Sequence, residues 1–429
     1  MPDALFALLA RRRFLPLFVS QFLGAANDNL FKNALVILVI YRLGDGVDMA
    51  PQVLVTVAGG LFILPFFLFS ASAGRLADRF EKGGLMRWIK LAEVFIALLG
   101  AWSLLAAHVP GMLAVLFLFG LHSTFFGPLK YAVLPEYLGT GELIGGNALI
   151  EGGTFLAILL GTIAGGLLVL GEGGTLTVSV LMVAAAVGGF AASLFLPKAH
   201  PGNPAVRPRL NIAADTLEVL TLMRGRRDVH LAVLGISWFW LVGATYLTQL
   251  PAFAKDALGA DEQAVTLMLT VFSVGIGLGS VLCGRLLKGE LSARHVPLAA
   301  LGMTVLAVDL WLAAGSGAGQ GGAAPVPLAE FLSRPANWRV LADLLLMAVC
   351  GGIYIVPLYV IMQVRSDEAV RARIVAANNI MNAAFMVASA VAGGAMLAAG
   401  LSVPQLFLVT GLGNLAAAAV LRRLPPSPA

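Results

Sequence analysis

Apolar runs recur along the entire chain, each about as long as a membrane-crossing helix and each closed by a short polar joint. A helix needs roughly 20 residues to cross about 30 Å of hydrocarbon. Runs of that kind lie near residues 14–41, 52–74, 85–107, 110–135, 142–170 and 174–196, and then near 229–253, 263–287, 295–315, 339–363, 371–400 and 403–421. The pattern predicts an all-α membrane protein of about twelve transmembrane helices, six before and six after a polar interruption. That interruption, 198–228, is rich in Pro and Arg, and its stretch Asn211 to Met223 is patterned as a short amphipathic helix on the membrane surface. The organisation expected is an N-terminal six-helix bundle (1–197), a connector (198–228) and a C-terminal six-helix bundle (229–429).

Composition agrees: of 429 residues, 59% are hydrophobic and 12% charged, with a mean hydropathy of +0.90, so water is not the main solvent. The net charge of +5 does not point to nucleic acid, because the basic residues are spread along successive helix edges. They gather at every second joint: Arg11 to Arg13; Arg75, Arg79, Lys82, Arg87 and Lys90; Lys198, Arg207, Arg209, Arg224, Arg226 and Arg227; Arg285, Lys288 and Arg294; Arg365, Arg371 and Arg373; Arg422 and Arg423. Arg42, Lys255, Arg334 and Arg339 fall at the opposite joints. By the positive-inside rule both termini are cytoplasmic, in a multi-pass protein of the cell inner membrane. A signal peptide is disfavoured, since the run after Arg13 continues through Asn27, Asp28 and Asn29 to Tyr41 without a cleavage site. Cys283 and Cys350 both fall in predicted spans, so no disulfide framework, metal site or cofactor is expected.

Short motifs recur in the two halves. Gly74-Arg75-Leu76 returns as Gly284-Arg285-Leu286, Pro128-Leu129 as Pro357-Leu358, and Ala164-Gly165-Gly166 as Ala392-Gly393-Gly394. Duplicated bundles related by a pseudo-two-fold axis are a common transporter plan. The stretch from Gly74 to Gly83, with Asp78 and Arg79 at its centre, resembles the signature loop of the major facilitator superfamily. The resemblance implies that superfamily's fold and a conformational latch made by Gly74, Asp78 and Arg79, with Arg365 as the counterpart in the second half. Plain positive-inside anchoring explains the arginines, but neither Asp78 nor Gly74.

A narrower resemblance is to the lysophospholipid transporter family within that superfamily, including the transporter domains of acyltransferase fusions. Three stretches carry it: Gln21 to Asn29, Gly127 to Glu136, and Asn147 to Thr154 running on to Gly166. It implies flipping of lysophosphatidylethanolamine or lysophosphatidylglycerol from the outer to the inner leaflet by alternating access, for re-acylation by a cytoplasmic-side lysophospholipid acyltransferase. Asn27, where some members have Gly, and the extra cation Lys32 depart from the pattern and leave the headgroup open.

Ionisable residues inside spans are candidates on their own account, because a charge at the bilayer centre costs about 2.5–3.5 kcal/mol on insertion scales. Asp28 and Lys32 lie one turn apart on one face, either as a self-neutralised pair or as a substrate- or proton-binding site, with Asn29 beside them. Lys130 follows Pro128, where a bend turns it inward or lets it snorkel to the membrane edge; Tyr131 is an aromatic wall or an interfacial anchor. Glu151 and Asn147 share a face of the fifth span, and Asn378 and Asn382 a face of the eleventh, as substrate contacts or as interhelical glue. Gly161, Gly165 and Gly166 read as close helix packing. His122 reads as a packing residue, and Asp309 shows no cationic partner. Phe62, Phe66, Phe67 and Phe69, with Phe117, Phe119, Phe125 and Phe126, are available for an acyl-tail path or for ordinary packing.

Together these supply a cation, a carboxylate and an apolar wall, as a lysophospholipid needs. The alternative is a proton-coupled exporter of drugs or small amphipathic solutes, against which Gly161 to Gly166 lacks the proline of the antiporter motif. An enzyme is not expected: no His begins a His-x-x-x-x-Asp acyltransferase motif, and no His-Glu-x-x-His zinc motif occurs.

Overall fold

The apolar runs become helices. A computed structural model describes residues 5–43, 51–207, 211–287, 290–317 and 325–424; Arg209 and Lys288 lie outside the described residues. In chain order the helices are α1 (Leu15–Leu38), α2 (Pro51–Arg79), α3 (Lys82–Leu105), α4 (Val109–Tyr137), α5 (Leu143–Val169), α6 (Gly174–Ser193) and α7 (Ile212–Arg224). There follow α8 (Arg227–Ala252), α9 (Glu262–Leu287), α10 (Val296–Gly317), α11 (Leu328–Ser333), α12 (Pro335–Arg365), α13 (Arg371–Ala398) and α14 (Val403–Leu421). Among the described residues, β structure is confined to one bridge between Ala260 and Val326.

Local chemistry sets several of the starts. Proline occupies the first turn of α1, α4 and α14, where its missing N–H is no loss. Glu81 caps α3 by accepting from the Gly83 and Gly84 amides, and Ser402 and Gln405 form a capping box on α14. Eleven helices among the described residues are long and apolar enough to cross a membrane. α1, at 24 residues, is long enough but stands outside that set; Asn27, Asp28, Asn29, Lys32 and Asn33 make its middle polar.

The chain folds into two compact units, and the division between them is not a single cut. Unit 1 is Met1–Gly146, Leu156–Gly225 and Gln363–Ile380; unit 2 is Asn147–Phe155, Arg226–Met362 and Met381–Ala429.

In unit 1, α1 crosses α5 with backbones nearly touching: a Cβ on Gly161 would lie 3.0 Å from both the Ala26 carbonyl carbon and the Leu30 amide. Gly165 meets Leu30 in the same way one turn on. These glycines are packing positions, as their spacing implied. Between α1, α4 and α6 lies a core that includes Phe31, Leu35, Met112, Leu116, Phe119 and Met182. α3 has the inverted pattern of a lipid-facing helix: Trp88, Phe95, Leu98, Leu99 and Trp102 are exposed, whereas Met86, Lys90, Glu93, Ala97 and Gly100 are buried. The connector helix α7 also differs from the expectation of a helix lying on the membrane. Its face Asp215, Val219 and Met223 is buried in protein, with Asp215 bonded to Arg75 of α2.

Unit 2 is tied together by aromatic stacking and short polar links between helices. Tyr246 stacks on Phe407 at 4.1 Å and donates to its carbonyl at 3.1 Å. Trp238 donates to Asn414 (2.7 Å), Thr304 to the Gly411 carbonyl (2.9 Å), and Tyr354 to the Gly235 carbonyl (3.1 Å). Asp309, for which the sequence offered no cation, is paired with Arg339 thirty residues on, a partner hidden by sequence distance. Cys283 and Cys350 are both free thiols.

Candidate functional site

The middle of α1 is a polar point inside unit 1. Asp28 is 5% exposed; its Oδ2 accepts from Ser123 of α4, and its Oδ1 is buried without a hydrogen-bond partner among the described residues. The ion pair allowed by the i, i+4 spacing is not made. Lys32 instead rests over the Phe62 ring, its Nζ 5.6 Å from the centroid. A carboxylate and an ammonium thus stand about one turn apart, about 6 Å along the axis, without forming an ion pair with each other. Asn29 is spent locally, donating to the Ala25 carbonyl at 2.8 Å.

Beside this pair lies a second buried charge centre that the sequence pattern does not announce. Lys90 and Glu93 on α3 are both fully buried, with Nζ to Oε2 at 2.6 Å. Nε2 of His122 lies 3.2 Å from the same Oε2, and Asn27 Nδ2 donates to Oε1 at 3.3 Å. Lys90 also sits 4.7 Å from the centroid of the Phe126 ring, on which His122 stacks. Gly24 makes room for it: a Cβ there would lie 2.6 Å from Nζ. The sequence groups Lys90 with the membrane-edge cations. The burial of its whole helical face corrects that, since a lysine with a carboxylate three residues on can be neutralised inside a bundle instead of snorkelling. The two centres are stitched by neighbours: Asn27 and Asp28 on α1 serve one each, as do His122 and Ser123 on α4.

The remaining candidates divide between the units. Lys130 is half-buried with Nζ 4.8 Å from the centroid of the adjacent Tyr131 ring, and Tyr131 is buried. In unit 2, Asn147 and Glu151 are both fully buried on the first turns of α5, and Asn382 accepts from Ser237 at 2.9 Å, joining α13 to α8. Asn378, in unit 1, is fully buried, and neither of its side-chain polar atoms has a hydrogen-bond partner among the described residues. Of the phenylalanines, Phe119 packs against Phe31 at 5.4 Å in the core.

The signature loop sits at the end of α2. Asp78 is buried and accepts from Arg373 Nε (2.9 Å) and from the Ala372 amide (3.1 Å). The sequence pointed to Arg365 as the counterpart; the guanidinium that reaches Asp78 is that of Arg373, two residues into α13. Gly74 allows this approach, because a Cβ there would fall 2.7 Å from the Ala376 Cβ and 2.9 Å from the Arg373 Cα. Arg79 donates to the Val206 carbonyl at 3.0 Å. The connector adds two carboxylates that sequence reasoning missed: Arg75 bonds Asp215 (3.0 Å) and Glu218 (2.6 Å), and Glu218 also meets Arg373 (3.2 Å). Glu136, His200 and Glu368 lie close enough to share a cation, but Lys82 already holds Glu136 at 2.7 Å.

Comparison with known proteins agrees with this architecture. The chain is 28% identical over 363 residues to the lysophospholipid transporter LplT of Salmonella gallinarum (strain 287/91 / NCTC 13346), covering 83% of this chain and 81% of that one. The same figures hold for LplT of Salmonella typhi. Its fold matches a bacterial homologue of the iron transporter ferroportin in an outward-facing state, with a TM-score of 0.72, 14% identity, and coverage of 96% of this chain and 99% of that one. The proton:xylose symporter XylE matches at a TM-score of 0.72 and 14% identity, over 97% and 96% of the two chains. These relatives and neighbours are transporters, not enzymes. The Major Facilitator Superfamily model matches residues 17–329, most of the chain and including the loop from Gly74 to Gly83, and the protein belongs to that superfamily.

Proposed function

We propose that this protein is a lysophospholipid transporter of the cell inner membrane, moving lysophosphatidylethanolamine or lysophosphatidylglycerol from the outer to the inner leaflet by alternating access. Two six-helix bundles, 1–197 and 229–429, would be joined by the connector 198–228, and the product would feed a cytoplasmic-side acyltransferase. The likeness to the LplT proteins supports the substrate class. One observation carries the site: Asp28 and Lys32 share a face of α1, yet each is turned to another partner and they make no ion pair with each other. A zwitterionic headgroup presents the complementary pair, its ammonium for Asp28 and its phosphate for Lys32, while the acyl chain stays against apolar side chains. Lys130 and Tyr131 are a second phosphate-facing candidate. The ion pair of Asp78 with Arg373, seated on Gly74, is the proposed latch.

The test is movement of labelled lysolipid into proteoliposomes. Lysophosphatidylglycerol has a phosphate but no ammonium. Asp28→Asn should therefore slow the ethanolamine lipid roughly tenfold or more and the glycerol lipid much less, whereas Lys32→Gln should slow both. If wild-type protein moves neither lipid above empty vesicles, the substrate assignment fails.

A further inference from the structure

Where α1 begins and α6 ends, unit 1 carries a cleft of about 400 Å³ lined by Arg12, Arg13, Leu194, Phe195, Leu196 and Pro197. Its arginines are not equivalent. Arg13 donates to both oxygens of Glu142 at 2.8 Å, and Arg11 pairs with the same carboxylate. Arg87 is committed to the main chain of the cleft, donating to the carbonyls of Leu196 (2.8 Å) and Ser193 (3.4 Å). Arg12 alone of these has no hydrogen-bond or ion-pair partner among the described residues, and it is exposed. Glu142 thus answers Arg11 and Arg13, Arg87 is held by main-chain carbonyls, and Arg12 is the guanidinium left open at the cleft.

The opposite wall is apolar and open: Leu194 is 53% and Phe195 62% exposed. It is also held in place, because Arg87 fixes the chain from Ser193 to Leu196 and the Tyr137 hydroxyl donates to the Pro197 carbonyl at 2.7 Å. A ligand that fits must carry an anion for Arg12 and a hydrocarbon for Leu194 and Phe195. Guanidinium is well matched to phosphate oxygens, and basic groups at a membrane edge attract anionic lipid.

We propose that this cleft binds an anionic phospholipid, with its headgroup phosphate on Arg12 and an acyl chain along Leu194 and Phe195. A free phosphate would share the first contact but gain nothing from the second. A zwitterionic phospholipid brings an ammonium into a region already rich in positive charge.

Native mass spectrometry of the full-length protein in detergent tests this, using phosphatidylglycerol, phosphatidylcholine and inorganic phosphate as probes. Phosphatidylglycerol is expected to form a one-to-one adduct at concentrations where phosphatidylcholine does not, and Arg12→Gln to weaken it about tenfold. Because Arg12 bonds to nothing else among the described residues, this variant leaves the Glu142 pairs intact. Phe195→Ser should weaken the adduct as well, and inorganic phosphate should not displace it. Equal retention by Arg12→Gln, or displacement by inorganic phosphate at comparable concentration, overturns the proposal. Asp28→Asn should retain the adduct in full, so failure here and failure of the transport reading are separate results.

Discussion

Lys90 lies two turns into α3, and its whole environment answers its charge: Glu93 at 2.6 Å, the Phe126 ring at 4.7 Å, and the space left by Gly24. Breaking a buried pair from one side leaves the other charge unpaired in a low-dielectric interior, at a cost of about 3–5 kcal/mol, whereas removing both charges costs far less. Lys90→Met is therefore expected to lower the thermal unfolding midpoint in detergent sharply, and Lys90→Met with Glu93→Gln to restore most of it. Equal loss in the single and double variants would show that the pair matters for packing volume and not for charge. The signal for this pair was in the sequence. Met86, Lys90, Glu93, Ala97 and Gly100 recur at helical spacing opposite Trp88, Phe95 and Trp102, and in a membrane the buried face is the polar one. Grouping Lys90 with the membrane-edge cations hides that. Asp28 and Lys32 were legible as residues, but their failure to pair depends on Ser123 and Phe62, which are brought in from other helices.

At the scale of elements, the apolar runs located the spans well because length and composition are set by the bilayer itself. α7 was legible as a helix but not in its role. Its buried stripe includes Asp215, whose partner Arg75 is 140 residues away. Repeated motifs were a weaker guide to packing. Ala164-Gly165-Gly166 and Ala392-Gly393-Gly394 match as sequence, yet Gly165 lies against the Leu30 backbone while its counterpart Gly393 would meet only the Leu406 side chain, at 3.6 Å, and Gly394 beside it has open space where a Cβ would stand. The close crossing of α5 on α1 gives a direct test. In Gly161→Ala the added methyl meets backbone that cannot rotate away, and overpacking of this kind costs about 1–3 kcal/mol. Gly394→Ala has nothing to displace and gains helix propensity. The first variant should unfold at lower temperature than wild type and the second at the same or a higher one. Equal midpoints for the two would mean that α5 can slide on α1 without loss.

At the scale of the whole molecule, the expected orientation rests on where the cations fall, and the structure sharpens that count. Lys90 drops out of it, because a fully buried lysine paired with Glu93 bears no relation to the membrane edge. Arg75 and Lys82 remain at helix ends but are consumed by Asp215, Glu218 and Glu136, which makes them ties within unit 1 as much as topological markers. Others still fall on the same set of joints, among them Arg11 to Arg13 before α1, Lys198 after α6, Arg224 to Arg227 around the start of α8, and Arg422 and Arg423 at the end of α14. The turn between α5 and α6, by contrast, carries only Glu172. Since cytoplasmic loops retain Lys and Arg, the expectation of cytoplasmic termini puts Lys198 inside and Glu172 outside. Both side chains are exposed, so each accepts a reporter without disturbing a core. In intact cells, Glu172→Cys should react with a membrane-impermeant maleimide, while Lys198→Cys should react only after the membrane is opened. Cys283 is buried and Cys350 half-buried, which keeps the wild-type background low. The reverse pattern would invert the molecule in the membrane. Headgroup entry at Asp28 would then have to be sought from the opposite leaflet, and the proposed direction of transport would fall with it.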